Sequence, residues 1–345
     1  MNLRDPISFE HGPLKIGAAA TANRKATETA IMIMQTGGNA VDAAIAAGHV
    51  MGVVEPLDCG LAAGGFMTIH CSSKNKTEVI DFLGTAPASA KYQLYAINDI
   101  NGDYTIRVEG QHNQIGYRSI AIPGTLRGFE EAHKKYGSLP MHELIAPAIS
   151  IAKEGFPISY KGALRMARTA HILATTDACR NLYLKSDNSA PREGEIIQNK
   201  DYAYTLEEIA KHGANTFYSG DLGRLIISEI DKNYGFLTKD DLLKYKAIWR
   251  KPSHFNYNGL DILTPPPPSS GSLVFSGLEA LTLDNKSHSA HQLLAEAMLK
   301  MFSKRRRNFG DPAFTSTETV SESPETTSLC TIDSGGNAAC LTYSN

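Results

Sequence analysis

Glu325-Thr326-Thr327-Ser328-Leu329-Cys330-Thr331-Ile332-Asp333-Ser334-Gly335-Gly336-Asn337-Ala338-Ala339-Cys340-Leu341-Thr342-Tyr343-Ser344-Asn345 is the stretch on which the reading of this chain turns. It holds a short β-prone run from Thr327 to Ile332, an Asp-Ser-Gly-Gly-Asn turn, and a second run from Ala338 to Tyr343. Two such runs around a glycine-containing turn predict a hairpin, with Gly335 and Gly336 supplying the positive φ that a tight connection needs. The threonine pair at its head has a plain reading, since threonine is a good strand residue. It also has a chemical one. If the Glu325–Thr326 bond is cut, Thr326 becomes N-terminal, and its α-amino group, which titrates near neutrality, sits beside its own hydroxyl as a base.

Two further segments favour the chemical reading: Thr36-Gly37-Gly38-Asn39-Ala40-Val41-Asp42-Ala43-Ala44 and Pro265-Pro266-Pro267-Pro268-Ser269-Ser270-Gly271. With the hairpin, and in this order, they resemble the gamma-glutamyltransferase family of self-cleaving N-terminal-nucleophile hydrolases. The resemblance runs from about Ile16 to Asn345. It takes in Ala121-Ile122-Pro123-Gly124-Thr125, Tyr136-Gly137-Ser138-Leu139-Pro140, Gly235-Phe236-Leu237-Thr238-Lys239-Asp240-Asp241-Leu242 and Gly310-Asp311-Pro312-Ala313-Phe314. The resemblance implies an α+β fold, the four-layer αββα sandwich of N-terminal-nucleophile hydrolases, incomplete at the C-terminus. Residues 1–325 correspond to a helix-rich large subunit and 326–345 to the start of a small subunit.

The same resemblance implies a self-processing amidohydrolase or acyltransferase. The Thr326 hydroxyl attacks the Glu325 carbonyl, an N-to-O acyl shift, and water then opens the ester. The freed Thr326 later takes up an acyl group from a γ-glutamyl donor of the glutathione type and passes it to water or to an amine or peptide acceptor. Ser344 matches a hydroxyl residue that hydrogen-bonds the nucleophile and tunes it, and Ser328 stands where many members have histidine. The partners implied are a small-molecule amide or γ-glutamyl substrate, its acceptor, and the chain's own small subunit. No cofactor is implied, and His112, His133, His142, His171 and His212 lack the paired spacing of metal ligands.

One position departs from the pattern. In Phe82-Leu83-Gly84-Thr85-Ala86-Pro87, Leu83 occupies the place of the arginine that grips the donor α-carboxylate in the family. Leucine makes no bidentate, charge-assisted contact. Either Arg107 or Arg118 has taken the role, or the enzyme is an acylase on a non-glutamyl amide. A third expectation is of a different class: a truncated, inactive fragment or interaction protein. The remaining strands and oxyanion serines of the family's small subunit have no counterpart before Asn345, so the 345-residue chain alone is expected to be inactive.

Composition bounds these readings. A chain of 345 residues buries a sizeable core, as one large domain or two closely joined ones. Hydrophobic residues at 42% and charged residues at 20% are ordinary for a globular chain. A net charge of −2 predicts neither nucleic-acid nor membrane binding, and the run Lys304-Arg305-Arg306-Arg307 reads as a helix end. Cys59, Cys71, Cys179, Cys330 and Cys340 are scattered and odd in number, which fits free thiols. Cys330 and Cys340 stand where they can face each other across the hairpin. Met1 to Pro6 shows no apolar leader, so a cytoplasmic location is expected.

Along the chain, strands are expected at Ile16–Thr21, Phe66–His70 and Glu78–Phe82, and one strand through Trp249, Phe255, Tyr257, Leu260 and Ile262 to Pro265. Helices are expected at Lys25–Gln35, from an Asn39 cap onward, and at Gly128–Tyr136, Met141–Gly155, Tyr160–Thr175, Leu206–His212, Leu222–Asn233 and Leu273–Leu281. The glycine-rich Gly60–Gly65 segment opens a strand and lacks the Lys-Ser/Thr of a phosphate loop, which suits close backbone approach to a site.

Overall fold

Asn39 starts the helix on which the sheet rests. In the computed structural model, which describes residues 16–91, 93–100, 106–282, 289–308 and 326–345, the Asn39 side chain accepts from the amides of Val41 and Asp42. The Asp42 carboxylate accepts from the Asn39 amide in return. This reciprocal cap satisfies donors that a helix start otherwise leaves orphaned. Helix α2 (Ala40–Val54) is buried at every residue, and its alanines and glycines let neighbours approach closely. Helix α1 (Arg24–Gln35), capped by Asn23, packs against it. Helices α3 (Thr125–Tyr136) and α4 (Met141–Glu154) extend the layer, and Asp42 also accepts from the Ser138 and Leu139 amides that join them.

Six antiparallel strands form the main sheet. Their order is β1 (Gly17–Ala20), Thr327–Asp333, Ala338–Ser344, β2 (Gly64–Cys71), β3 (Lys76–Asp81) and Ile248–Arg250. The hairpin predicted from the last residues thus sits inside the sheet, between strands formed near the start of the chain. Its side chains alternate strictly. Thr327, Leu329, Thr331, Asp333, Ala339, Leu341 and Tyr343 are buried on the helix side, where Thr331 Oγ1 donates to Ala40 O at 2.7 Å and Tyr343 OH to Gly48 O at 2.7 Å. Ser328, Cys330, Ile332, Cys340 and Thr342 are exposed on the other face. Helices on one side of an antiparallel sheet give the α+β layout expected.

Several expectations shift in detail. Only Gly336 is left-handed (φ 81°), because Ser334-Gly335-Gly336 forms a three-residue loop that closes with a bulge: Gly336 N donates to Asp333 O, and Asp333 N to Asn337 O. The single strand read through Phe255 and Ile262 is instead a ribbon, Ser253–Tyr257 with Leu260–Thr264, turned at Asn258-Gly259 where both φ are positive. The helix read from Leu206 begins earlier, at Lys200, on an Asn199 cap, and a further short helix spans Asp177–Tyr183. Ser269 Oγ accepts from Gly271 N at 3.2 Å as the Gly271–Thr282 helix begins. The Gly310–Phe314 segment and Glu325 lie outside the described residues. Among the described residues no helix is long and apolar enough to cross a membrane.

His49 on α2 is wholly buried, edge-on to Phe129 at 5.2 Å, with no partner for Nδ1. Burial depresses its pKa from 6.5 to about 4. The unfolded chain therefore takes up a proton as pH falls through 6.5 while the folded chain resists until about 4, so stability is lost across that window. We expect His49→Leu to flatten the acid limb. Between pH 7.5 and 4.5 the parent should lose ~2 kcal/mol more than the variant in urea unfolding. Parallel losses in the two proteins would show that His49 does not set this slope.

Candidate functional site

The hairpin register places the first candidate residues together. Thr327 pairs with Tyr343, so one step back along the same register Thr326 stands opposite Ser344. The Asp333–Asn337 bond fixes the parity: Thr331, Leu329 and Thr327 occupy hydrogen-bonded positions, and Cys330, Ser328 and Thr326 the intervening ones. At such intervening pairs the Cα atoms are only about 4.5 Å apart and the side chains lie closest. Thr326 is exposed, on the open face with Ser328. Thr327 points the other way, with its hydroxyl buried and without a partner. Strand alternation alone therefore distinguishes the two threonines.

Ser344 pairs in turn with Gly64, and Tyr343 with Gly65. A Cβ on Gly65 would lie 2.1 Å from Thr342 O and 2.6 Å from Tyr343 Cα, so only glycine lets β2 come this close. A Cβ on Gly64 would lie 2.3 Å from Gly84 N and 3.1 Å from Leu83 Cα. The glycine-rich segment thus brings Leu83 up to the strand end that carries Ser344. The backbone of Leu83 is pinned from both sides. Its amide donates to Asp81 Oδ1 at 3.0 Å, its carbonyl accepts from Tyr245 OH at 2.8 Å, and Asp81 Oδ2 is held by Arg250 Nε at 2.7 Å. The two arginines offered by the sequence as replacements lie on other elements. Arg107 is on the ribbon strand Ile106–Val108 opposite Asp99, and Arg118 stacks on Phe236 at 4.7 Å.

The Asp81–Arg250–Tyr245 clamp was not read from the sequence, because its members lie some 160 residues apart. Nor was Asp333, whose carboxylate accepts from the amides of Gly335 (2.9 Å) and Asn337 (3.0 Å), from Asn337 Nδ2 (2.9 Å), and from the Ala40 amide (3.1 Å). One buried side chain thereby ties the hairpin turn to the start of α2, where the helix dipole favours an anion. We expect Asp333→Ala to cost about 3–4 kcal/mol in denaturant unfolding, and Asp333→Asn less, since the amide keeps one acceptor oxygen. A loss below about 1 kcal/mol in the alanine variant would show that the backbone bonds alone hold the turn.

A cavity of about 300 Å³ opens beside the loop before β2, lined by Gly52, Cys59, Gly60, Phe156, Tyr202 and Asn345 among others. Thr326, Ser344 and Leu83 do not line it.

A threonine directly before an interior strand of a helix-backed antiparallel sheet is consistent with the fold of the N-terminal-nucleophile hydrolases. A model of the gamma-glutamyltranspeptidase family matches residues 26–323. The chain belongs to that family. It is 32% identical over 308 residues to the glutathione hydrolase proenzyme of Escherichia coli (strain K12), covering 87% of this chain and 52% of that protein. It is also 32% identical over 306 residues to the acylase ACY 1 proenzyme of Pseudomonas sp. (strain SE83), covering 86% and 54%. Among solved structures, the gamma-glutamyltranspeptidase of Helicobacter pylori superposes with a TM-score of 0.81 at 30% identity, over 89% of this chain and 88% of that one. The chain spans about half the length of the curated relatives it matches.

Proposed function

We propose that this chain carries the nucleophile of a self-processing threonine amidohydrolase that hydrolyses or transfers a γ-glutamyl group. The observation that carries the reading is the exposed Thr326 directly before its strand, which the Thr327–Tyr343 register, continued by one step, sets opposite Ser344. In the first step Thr326 Oγ1 bonds to the Glu325 carbonyl carbon as the C–N bond breaks, and the amine keeps the hydroxyl proton. Water then cleaves the ester, restoring the hydroxyl and leaving Glu325 with a carboxylate. The freed α-amino group is the base that draws the hydroxyl proton in turnover. The acyl-enzyme so formed gives its acyl group to water or to an amine. The piece that begins at Thr326 stays bound after cleavage, because its strands are hydrogen-bonded to β1 on one side and β2 on the other. The names of relatives support this reading: glutathione hydrolase proenzymes, at 31–32% identity.

The test is turnover of γ-glutamyl-p-nitroanilide by the protein as its gene encodes it, with and without Ser344→Ala. Loss of one hydrogen bond to the nucleophile is worth about 1–1.5 kcal/mol, so kcat should fall about tenfold with little change in KM. An unchanged kcat in the variant would remove Ser344 from the site. Absence of p-nitroaniline release by the parent would remove the γ-glutamyl reading. A second reading rests on Leu83: with leucine in place of a carboxylate-gripping arginine, the donor is an amide without a free α-carboxylate, as an acylase would use. The similarity to an acylase proenzyme supports it.

A further inference from the structure

The loop between α2 and β2, residues 55–63, holds the strand end that carries Ser344 at two places. It delivers Gly64, the partner of Ser344 in the sheet. From its middle it takes hold of Asn345, whose amide donates to Asp58 O at 3.3 Å and whose Nδ2 donates to Pro56 O at 3.1 Å. The loop is itself fixed by two buried carboxylates. Glu55 Oε1 accepts from Asn23 Nδ2 at 3.0 Å and from Ser159 Oγ at 3.4 Å. Asp58 Oδ2 accepts from Lys161 Nζ at 2.6 Å, and Arg165 pairs with its Oδ1. Both cations belong to the helix Tyr160–Leu173, which Ser159 caps, and Asn23 caps α1. A buried ion pair contributes little net stability, because desolvation offsets the attraction. What this one secures is the place of the backbone that bears Asp58.

We propose that Asp58 is a positioning residue for the Thr326 site: it ties the loop to Lys161 and Arg165, the loop ties Asn345, and Asn345 keeps Ser344 opposite the nucleophile. The inference rests on the self-processing threonine hydrolase reading above. The Asp58 carboxylate faces the helix and its carbonyl faces Asn345, so its effect on the site passes through the strand end that carries Ser344. Without the carboxylate the loop loses that anchor, and the Ser344 hydroxyl spends less time where it meets Thr326 Oγ1. Contacts that bind the donor elsewhere are untouched, so the loss falls on kcat and leaves KM alone.

The test is a double-variant cycle on the protein as its gene encodes it, with turnover of γ-glutamyl-p-nitroanilide and the rate of the Glu325–Thr326 cut as readouts. Asp58→Ala should lower kcat about tenfold, as Ser344→Ala does, with KM unchanged. Asp58→Asn keeps the shape and one acceptor oxygen, and should lower kcat about threefold. Adding either Asp58 substitution to Ser344→Ala should slow it no further, whereas independent effects of Asp58→Ala and Ser344→Ala would multiply to about a hundredfold. The asparagine variant runs the same cycle if the alanine variant does not fold. Multiplied losses would show that Asp58 only supports the fold, and would overturn the proposal. An unchanged kcat in the Asp58 variants of an active parent would end it and leave the proposed function standing. An unchanged kcat in Ser344→Ala would remove the residue through which Asp58 acts, and would also end it. If the parent cuts but releases no p-nitroaniline, the γ-glutamyl reading fails and the cycle is read on the rate of the cut. A parent that neither cuts nor turns over ends both.

Discussion

Thr326→Ala is expected to leave the protein as a single uncut band on a denaturing gel and to abolish turnover, where the parent gives two fragments. The hydroxyl is asked to do two jobs, and alanine does neither. It opens the Glu325–Thr326 peptide bond by an N-to-O shift, and it later holds the acyl group. Removing an enzyme nucleophile costs on the order of 10⁶ in kcat, against which a single hydrogen bond is small. The neighbouring residue supplies the control. Thr327 points into the helix-backed face with its hydroxyl unpartnered, so Thr327→Val removes a buried polar group without changing shape. That variant should still cut and should be no less stable. Two bands from Thr326→Ala, or one band from the parent, would end the processing reading. An uncut but folded Thr327→Val would move the nucleophile by one residue.

What the sequence made legible were features that are local. The hairpin follows from two β-prone runs around Asp-Ser-Gly-Gly-Asn, and the start of α2 from Asn39 with Asp42 three positions on. The family resemblance singled out Thr326 from Thr327, and the alternation of the hairpin in the structure sets the two on opposite faces. The ribbon at Asn258-Gly259 was equally local, but the alternating Phe255 to Ile262 pattern continues through the turn and reads as one strand. Two residues with positive φ break it, and an Asn-Gly pair is the standing signal for such a turn. The other omissions are of a different kind. That Asp333 reaches the Ala40 amide, 293 residues away, depends on the hairpin inserting between β1 and β2. The clamp on Leu83 depends on Arg250 and Tyr245 arriving from the far edge of the sheet and the helix before it. No pattern in a single sequence marks such partners. The facing of Cys330 and Cys340 follows from the hairpin, and the register of the strand pair places them opposite each other.

Leu83→Arg is expected to raise kcat/KM for a γ-glutamyl donor by about ten- to a hundredfold, from a weak parental value. Such a donor carries a free α-carboxylate, and a site without a cation leaves that charge poorly paired. Hydrogen bonds to a charged group are worth about 1.5–3 kcal/mol, which sets the size of the gain. The backbone at this position is favourable for the exchange. Asp81 and Tyr245 hold the amide and carbonyl of residue 83 in place whatever its side chain, and Gly64 seats it beside the strand end that carries Ser344. Asp81 is a local competitor for a new guanidinium, and Arg250 already holds its Oδ2. The gain should therefore depend on the donor and not on a general change of the fold. A matched amide donor lacking the α-carboxylate should show no improvement, and the parent should prefer it. Strong parental activity on the γ-glutamyl donor, lost in Arg118→Ala and not improved by Leu83→Arg, would show that the carboxylate anchor has moved to another element. Equal use of both donors by the parent and the variant would show that residue 83 does not face the donor at all.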